Sequence, residues 1–315
     1  MNKRVLLICP HFMGYDEIIA SYLRSNQYEV FFIDSDKYLK PAREEYKSYS
    51  IFLRLFLKLF PLLRELIREK LLSKRRADIL SDLDDIKKVD YIIVINGDGL
   101  SKEIYNKLSK KYPYSQKILY IWDDLDWLFK KKHIKYFDNV FSYNIDDCKK
   151  NNFSYLPVFT AALEEKDYEK EYDISIIATA SQERVKLAKK IFEKYKNEYK
   201  FYIYFYDKDF KFDFFSHTVP LSYEKYQEVL VKSVAILDIV RYGQKGPTTR
   251  IYDSILTRTK VITENKFIKK YPVYNSNILI LDRKYEIPSS FIKKEYKEDE
   301  VKYISVKEWF QTLID

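Results

Sequence analysis

With 315 residues the chain has room for two domains of roughly 150 residues, each large enough to bury a core. A hydrophobic fraction of 46% fits a folded globular protein, and 30 Tyr and 21 Phe beside only 5 Gly read first as AT-rich genome composition, with stacking surfaces for sugars or bases as the alternative. The net charge of +9, from 56 Lys+Arg against 47 Asp+Glu, points to phosphate groups or an anionic membrane face; nucleic acid is not expected, because no zinc, RRM or helix-turn-helix pattern accompanies the charge.

The N-terminal MNKRVLLICPHFMG carries an apolar run too short for a signal-peptide core, and no run of 18 apolar residues follows, so neither secretion by that route nor a transmembrane span is expected. Short β-branched and aromatic runs alternate with longer charged helical patterns, the rhythm of a parallel sheet wound with helices. In the first half, strands are predicted at 4–9, 30–34, 91–96, 117–122, 140–143 and 154–157. The loop after the first, PHFMGYDE, holds His11, Gly14, Tyr15 and Asp16, with Asp16 placed to cap the next helix. Residues 44–85 read as one long helical stretch broken by Pro61. Its basic part, 50–76, is expected either to lie on an anionic membrane, with Arg and Lys snorkelling beside Leu and Phe, or to pack as an amphipathic pair kinked at Pro61. Asn96-Gly97-Asp98-Gly99 reads as a tight turn. The run IWDDLDWL, 121–128, closes a strand and exposes Asp123, Asp124 and Asp126 beside Trp122 and Trp127. Cys9 and Cys148 have neither metal-ligand spacing nor a disulfide framework, which fits a reducing compartment, the cytosol by default.

A polar, charge-rich segment near residue 165 reads as a linker, after which the same grammar restarts. Strands are predicted at 173–178, 200–206, 234–238, 260–263 and 278–282, helices at 182–197, 222–232 and 247–257, and a terminal helix at 305–315 that packs back on the first domain. The fold class is therefore α/β, with two Rossmann-like doubly wound domains facing a cleft: 1–165, 166–304, and the terminal piece 305–315. In the second domain the loop ATASQER offers Thr179, Ser181 and Arg184 at a helix start, either as a diphosphate contact or as an ordinary cap.

The stretch GQKGPTTRIYDSILTRTKVITEN, 243–265, is the most informative. Gly243 and Gly246 permit turns, and Pro247 suits a first helical position. The first turn then offers backbone N–H groups, the hydroxyls of Thr248 and Thr249 and the positive dipole end, all suited to a phosphate. Arg241 and Lys245 add positive charge, and Asp253, one turn on, is within reach of ribose hydroxyls. The alternative is that Thr248 caps the helix, Arg250 pairs with Asp253, and nothing is bound.

The run 235–282 resembles the nucleotide-sugar site of GT-B glycosyltransferases of bacterial capsule and O-antigen polysaccharide synthesis, on Asp238, Gln244, Gly246, Thr248, Arg250, Asp253, Thr263 and Asn265. It departs from the family at Asp253, where Glu is usual, and at the Thr257-Arg258-Thr259 turn. The resemblance implies transfer of a sugar from a UDP-linked donor to a surface-glycan or lipid-linked acceptor, in the cytoplasm or at the inner membrane face, without metal or cofactor. Its GQxG…TxR pattern is similar to that of galactofuranosyltransferases. It further implies that the second domain holds the donor and the first the acceptor, with His11, Asp16, Asp123 or Asp124 as the proton-accepting group. A rival resemblance is to GT-A transferases, whose D-x-D metal motif Asp124 and Asp126 formally match. A third reading is a non-catalytic nucleotide-sugar-binding scaffold at the membrane.

Overall fold

The computed structural model describes residues 2–315 except 13, 75, 98, 126–130, 162–167, 242, 299–300 and 302, with the backbone alone for 76, 77, 131 and 132. The chain divides into two compact units, one of Met1–Leu156 with Val306–Asp315, the other of Pro157–Ser305. Asp126, half of the D-x-D expectation, lies outside the described residues.

The first unit runs β1 (Arg4–Cys9), α1 (Tyr15–Ser25), β2 (Glu29–Asp34), α2 (Asp36–Ser48), α3 (Ile51–Leu59), α4 (Pro61–Ser73), α5 (Arg76–Asp84), β3 (Tyr91–Ile95), α6 (Lys102–Lys111), β4 (Gln116–Ile121), β5 (Asn139–Ser142), α7 (Ile145–Asn151) and β6 (Ser154–Tyr155). Its six strands form one sheet in the order β2-β1-β3-β4-β5-β6, all pairs parallel. β1 and β3 read VLLIC and YIIVI because a central parallel strand is covered on both faces, and every one of those residues is buried.

The second unit runs β7 (Tyr172–Thr179), α8 (Gln182–Tyr195), β8 (Phe201–Tyr206), β9 (Ser216–His217), α9 (Tyr223–Val231), β10 (Ser233–Asp238), α10 (Thr249–Leu256), β11 (Lys260–Thr263), β12 (Ile278–Ile280) and α11 (Ser289–Lys293). Its sheet, also parallel throughout, has the order β12-β11-β10-β7-β8-β9. Both units are doubly wound α/β folds. In each, the chain winds first one way and then the other from a single central strand, leaving a switch point between β1 and β3 in the first and between β7 and β10 in the second. At such a point successive loops depart to opposite sides of the sheet and open a crevice at the strand C-termini.

Two details differ from the sequence expectation. The 44–85 stretch is not one helix interrupted at Pro61 but parts of four, because Ser50 starts a helix by accepting a hydrogen bond from Leu53 N (3.2 Å) and Pro61 occupies the first position of α4. The short edge strand β9 carries too few residues for a periodic signal. No helix among the described residues is long and apolar enough to cross a membrane.

The terminal α12 (Val306–Ile314) completes the first unit. Trp309 is fully buried edge-on against Tyr120 (4.9 Å between centroids), and Phe310 lies between Tyr22 and Tyr28. Replacing so large a buried ring leaves a cavity, so Trp309→Ala is expected to lower stability by roughly 3–5 kcal/mol in urea unfolding, with loss of the α12 anchor.

Candidate functional site

In the second unit, the crevice between β7 and β10 is organised by one carboxylate. Asp238 ends β10 with no exposed surface. Its Oδ1 accepts from Thr248 Oγ1 (2.7 Å) and Arg250 Nε (3.0 Å), and its Oδ2 from Thr263 Oγ1 (3.1 Å) at the end of the neighbouring β11. A buried carboxylate is tolerable only when so paired. Asn265 then ties the intervening loop down, donating to the carbonyls of Lys245 (3.1 Å) and Gly246 (3.3 Å). Gln244 closes the same loop, accepting from Arg241 N (3.2 Å) and donating to Gly246 O (3.4 Å). Gly243, at φ 82°, supplies the left-handed residue the turn needs; Gly246 does not take a positive φ.

The start of α10 departs from the sequence reading. The helix begins at Thr249, with Pro247 ahead of it and Thr248 as N-cap. The Thr248 side chain makes no cap hydrogen bond because its hydroxyl is given to Asp238. Nor does Arg250 pair with Asp253; it pairs with Asp238. Thr249 is half-buried in the first turn. Backbone N–H groups at this end therefore have no side-chain cap from Thr248 and carry the positive end of the helix dipole.

Across the switch point, Ser181 caps α8 by accepting from Arg184 N (3.3 Å). Arg184 folds back to donate to Thr179 O (3.2 Å), while its buried Nε has no hydrogen-bond partner. Burial pushes the Arg184 guanidinium down to about 10, and the nearby charges of Arg250 and Arg241 push the same way, opposed by Asp238. Arg184 thus feels the positive charge of Arg250 and Arg241 and, against it, the buried charge of Asp238, which Arg250 pairs directly. Glu264, half-buried beyond β11, has its carboxyl pushed up by burial and by Asp238. Sequence reasoning passed over Glu264, although it stands between Thr263 and Asn265 in the quoted stretch.

Asp253 is a correction. It has no exposed surface, and its oxygens accept from Thr160 Oγ1 (2.8 Å) and Tyr226 Oη (3.2 Å). Burial, with the Asp253 charge beside it, pushes the Tyr226 phenol well up. This carboxylate fastens α10 to α9 and to the segment around Thr160, and its oxygens are taken up by those donors.

In the first unit, the loop leaving β1 holds His11 and Asp16 together. Asp16 is buried at the start of α1, behind Gly14 at φ 78°, and is 2.8 Å from His11 Nδ1; the imidazole itself is 58% exposed. An ionised carboxylate can only accept, so Nδ1 carries the proton and neutral His11 presents an unprotonated Nε2. The hydrogen bond to Asp16, and then its charge, raise the His11 pKa above the ordinary imidazole value. Nearby, Trp122 meets Phe12 (6.0 Å) and Tyr15 (6.5 Å), and Asn96 accepts from Trp122 N (3.0 Å) while donating to Asp123 (2.8 Å). These contacts gather the loops after β1, β3 and β4.

Asp124 is the second correction. It is buried, and its Oδ1 accepts from Tyr143 Oη (2.8 Å) and Asn144 Nδ2 (2.7 Å), joining the end of β4 to the end of β5. That places it as an internal tie and not as an exposed metal ligand or acceptor carboxylate. Among the described residues, no three His, Cys, Asp or Glu side chains group as a metal site.

No protein-family model matches the chain, and no curated protein matches it in sequence. Among solved structures it is similar to TarM (12% identity, TM-score 0.45, covering 78% of this chain and 51% of that one), so the chain spans about half of TarM's length. It is also similar to a UDP-N-acetylglucosamine 2-epimerase (11%, 0.44, 84% and 79%). A third is UGT2 of Phytolacca americana complexed with UDP-2fluoro-glucose and pterostilbene (11%, 0.42, 93% and 88%).

Removing the Asp238 carboxylate would leave Arg250, Thr248 and Thr263 without their shared acceptor. Asp238→Ala is expected to lower stability by about 3–5 kcal/mol in thermal or urea unfolding, and Asp238→Asn by less, since an amide oxygen still accepts.

Proposed function

We propose that this chain is a GT-B-type glycosyltransferase that takes a sugar from a UDP-linked donor and places it on a bacterial surface-glycan acceptor of the capsule or O-antigen (lipopolysaccharide) kind. The observation that carries the reading is the pairing of Arg250 with the buried Asp238 at the end of β10, with the buried, partly unpartnered guanidinium of Arg184 close enough to feel both charges. Such a crevice, with a helix N-terminus beside it, suits a diphosphate. In this reading Arg184 and Arg250 hold the diphosphate oxygens, Thr249 and the α10 N–H groups complete the cradle, and Glu264 takes the ribose contact that Asp253 cannot make. Thr248, Gln244, Gly246 and Lys245 shape the loop, and Thr179 and Ser181 position Arg184. Galactofuranose is the proposed sugar, on the GQxG…TxR resemblance alone, and the inner membrane face the proposed place of work.

Chemistry follows from the two charge arrangements. His11 Nε2 takes the proton from an acceptor hydroxyl as its oxygen bonds to the anomeric carbon. The bond from that carbon to the diphosphate oxygen breaks, and the leaving charge is met by the guanidiniums. Asp16 holds the imidazole in the required tautomer and stabilises the imidazolium. Asp123, held by Asn96, faces the same loops and assists in seating the acceptor.

Two measurements test this. Arg184→Ala and Arg250→Ala are each expected to weaken UDP binding by about tenfold or more in calorimetry, as befits loss of a charged hydrogen bond; unchanged affinity in both would overturn the donor site. For the base, His11 must be neutral to act, and its raised pKa keeps it protonated to higher pH. The kcat/KM profile should therefore rise with pH through an apparent pKa above that of a free imidazole. Asp16→Asn should shift that limb downward, and His11→Ala should lower kcat by about 10²–10⁴.

A further inference from the structure

Helices α2, α3 and α4 line an open cavity of about 570 Å³ in the first unit, large enough for a ligand. Its floor is apolar, built on Leu39, Ala42, Leu71 and Leu72, which form their own small core. Its walls carry six cations, of which Arg43, Arg64 and Arg68 already have interaction partners and Lys47, Arg54 and Lys58 supply the remaining positive charge. Lys47 and Lys58 make no ion pair among the described residues, and the buried Nε of Arg54 has no hydrogen-bond partner. On α3 and α4, Ile51, Phe52, Leu55, Leu59, Leu62 and Leu66 are each more than half exposed, Ile51 and Leu55 of them lining the cavity. Leu57 is the one fully covered residue of α3. So many large apolar side chains left exposed on two successive helices mark a surface that something covers.

Two chemistries therefore meet here, a hydrocarbon-lined floor and a dense ring of positive charge. A second copy of the chain fits poorly, because a two-fold interface would set this ring against its own image. An aqueous anion would meet the charges but leave the apolar face bare. A phospholipid satisfies both: its phosphate accepts from the guanidiniums, its chain lies along the floor, and the exposed Leu and Phe enter the interface while Arg and Lys snorkel to the headgroups.

We propose that the α2–α3–α4 cavity binds an anionic phospholipid of a bilayer, with α3 and the start of α4 lying in the interface. The site works on the chain's own placement at a membrane and does not rest on the nucleotide-sugar reading. Purified full-length protein is to be co-sedimented with phosphatidylcholine vesicles, with and without phosphatidylglycerol, at matched ionic strength. Partitioning onto the phosphatidylglycerol vesicles is expected to be at least tenfold stronger. Leu59→Glu and Arg54→Glu, both folded by circular dichroism, should each reduce it at least tenfold, and Ala42→Trp, which fills the floor, should reduce it if the variant folds. Equal partitioning onto both vesicles, or binding unaffected by Leu59→Glu and Arg54→Glu, overturns the proposal. So does a wild-type dimer in sedimentation velocity that Leu59→Glu converts to monomer while vesicles are not bound.

Discussion

The buried carboxylate of Asp238 is the constraint on which the second unit's crevice depends. It sits at the end of a central parallel strand, where removal from water is complete, and it is held there by three donors from two different elements. One donor is a hydroxyl that would otherwise cap α10; another is the guanidinium one turn into the same helix. Asp238 therefore determines where α10 begins, which way Arg250 turns, and how the β10 loop returns to β11. Thr263 and Asn265 extend the same tie from the other side. A buried ion pair contributes little net stability when compared with an apolar substitute, so its value here lies in fixing one geometry.

The first unit solves a parallel problem with opposite exposure. Its switch-point loop keeps the carboxylate inside and presents the partner imidazole to solvent. Gly14 allows the chain to turn into α1 so that Asp16 points back at His11, five residues earlier. The result is a group that can gain and lose a proton near neutral pH, whereas the guanidiniums in the other unit stay charged. The titratable imidazole and the buried guanidinium–carboxylate pair are thus kept on separate units.

Much of this was legible in the sequence, for reasons that differ by element. Central strands such as 4–9, 91–95 and 233–238 announce themselves, because burial on both faces demands unbroken apolar runs. The 243–265 stretch was legible as a helix start with its strands, because glycine, proline and paired threonines have narrow backbone preferences. The direction of Asp253 was not. Helical spacing tells which residues share a face but not which distant segment covers it, and here the cover is Thr160, 93 residues earlier, with Tyr226. Asp124 failed for the same reason: its donors, Tyr143 and Asn144, come from the next strand's end. Glu264 was overlooked because its interest lies in proximity to Asp238, a long-range property of two strand ends in register.

Charge balance gives the crevice its direction. Arg184 has lost much of its hydration, gains one backbone carbonyl in return, and stands close enough to Arg250 and Arg241 to be repelled by both. Asp238 answers Arg250 directly and opposes only part of that repulsion. Even with its pKa lowered to about 10, Arg184 remains protonated at neutral pH, so its charge is kept in spite of burial. On electrostatic grounds an anion beside Arg184 would offset part of what burial costs that guanidinium.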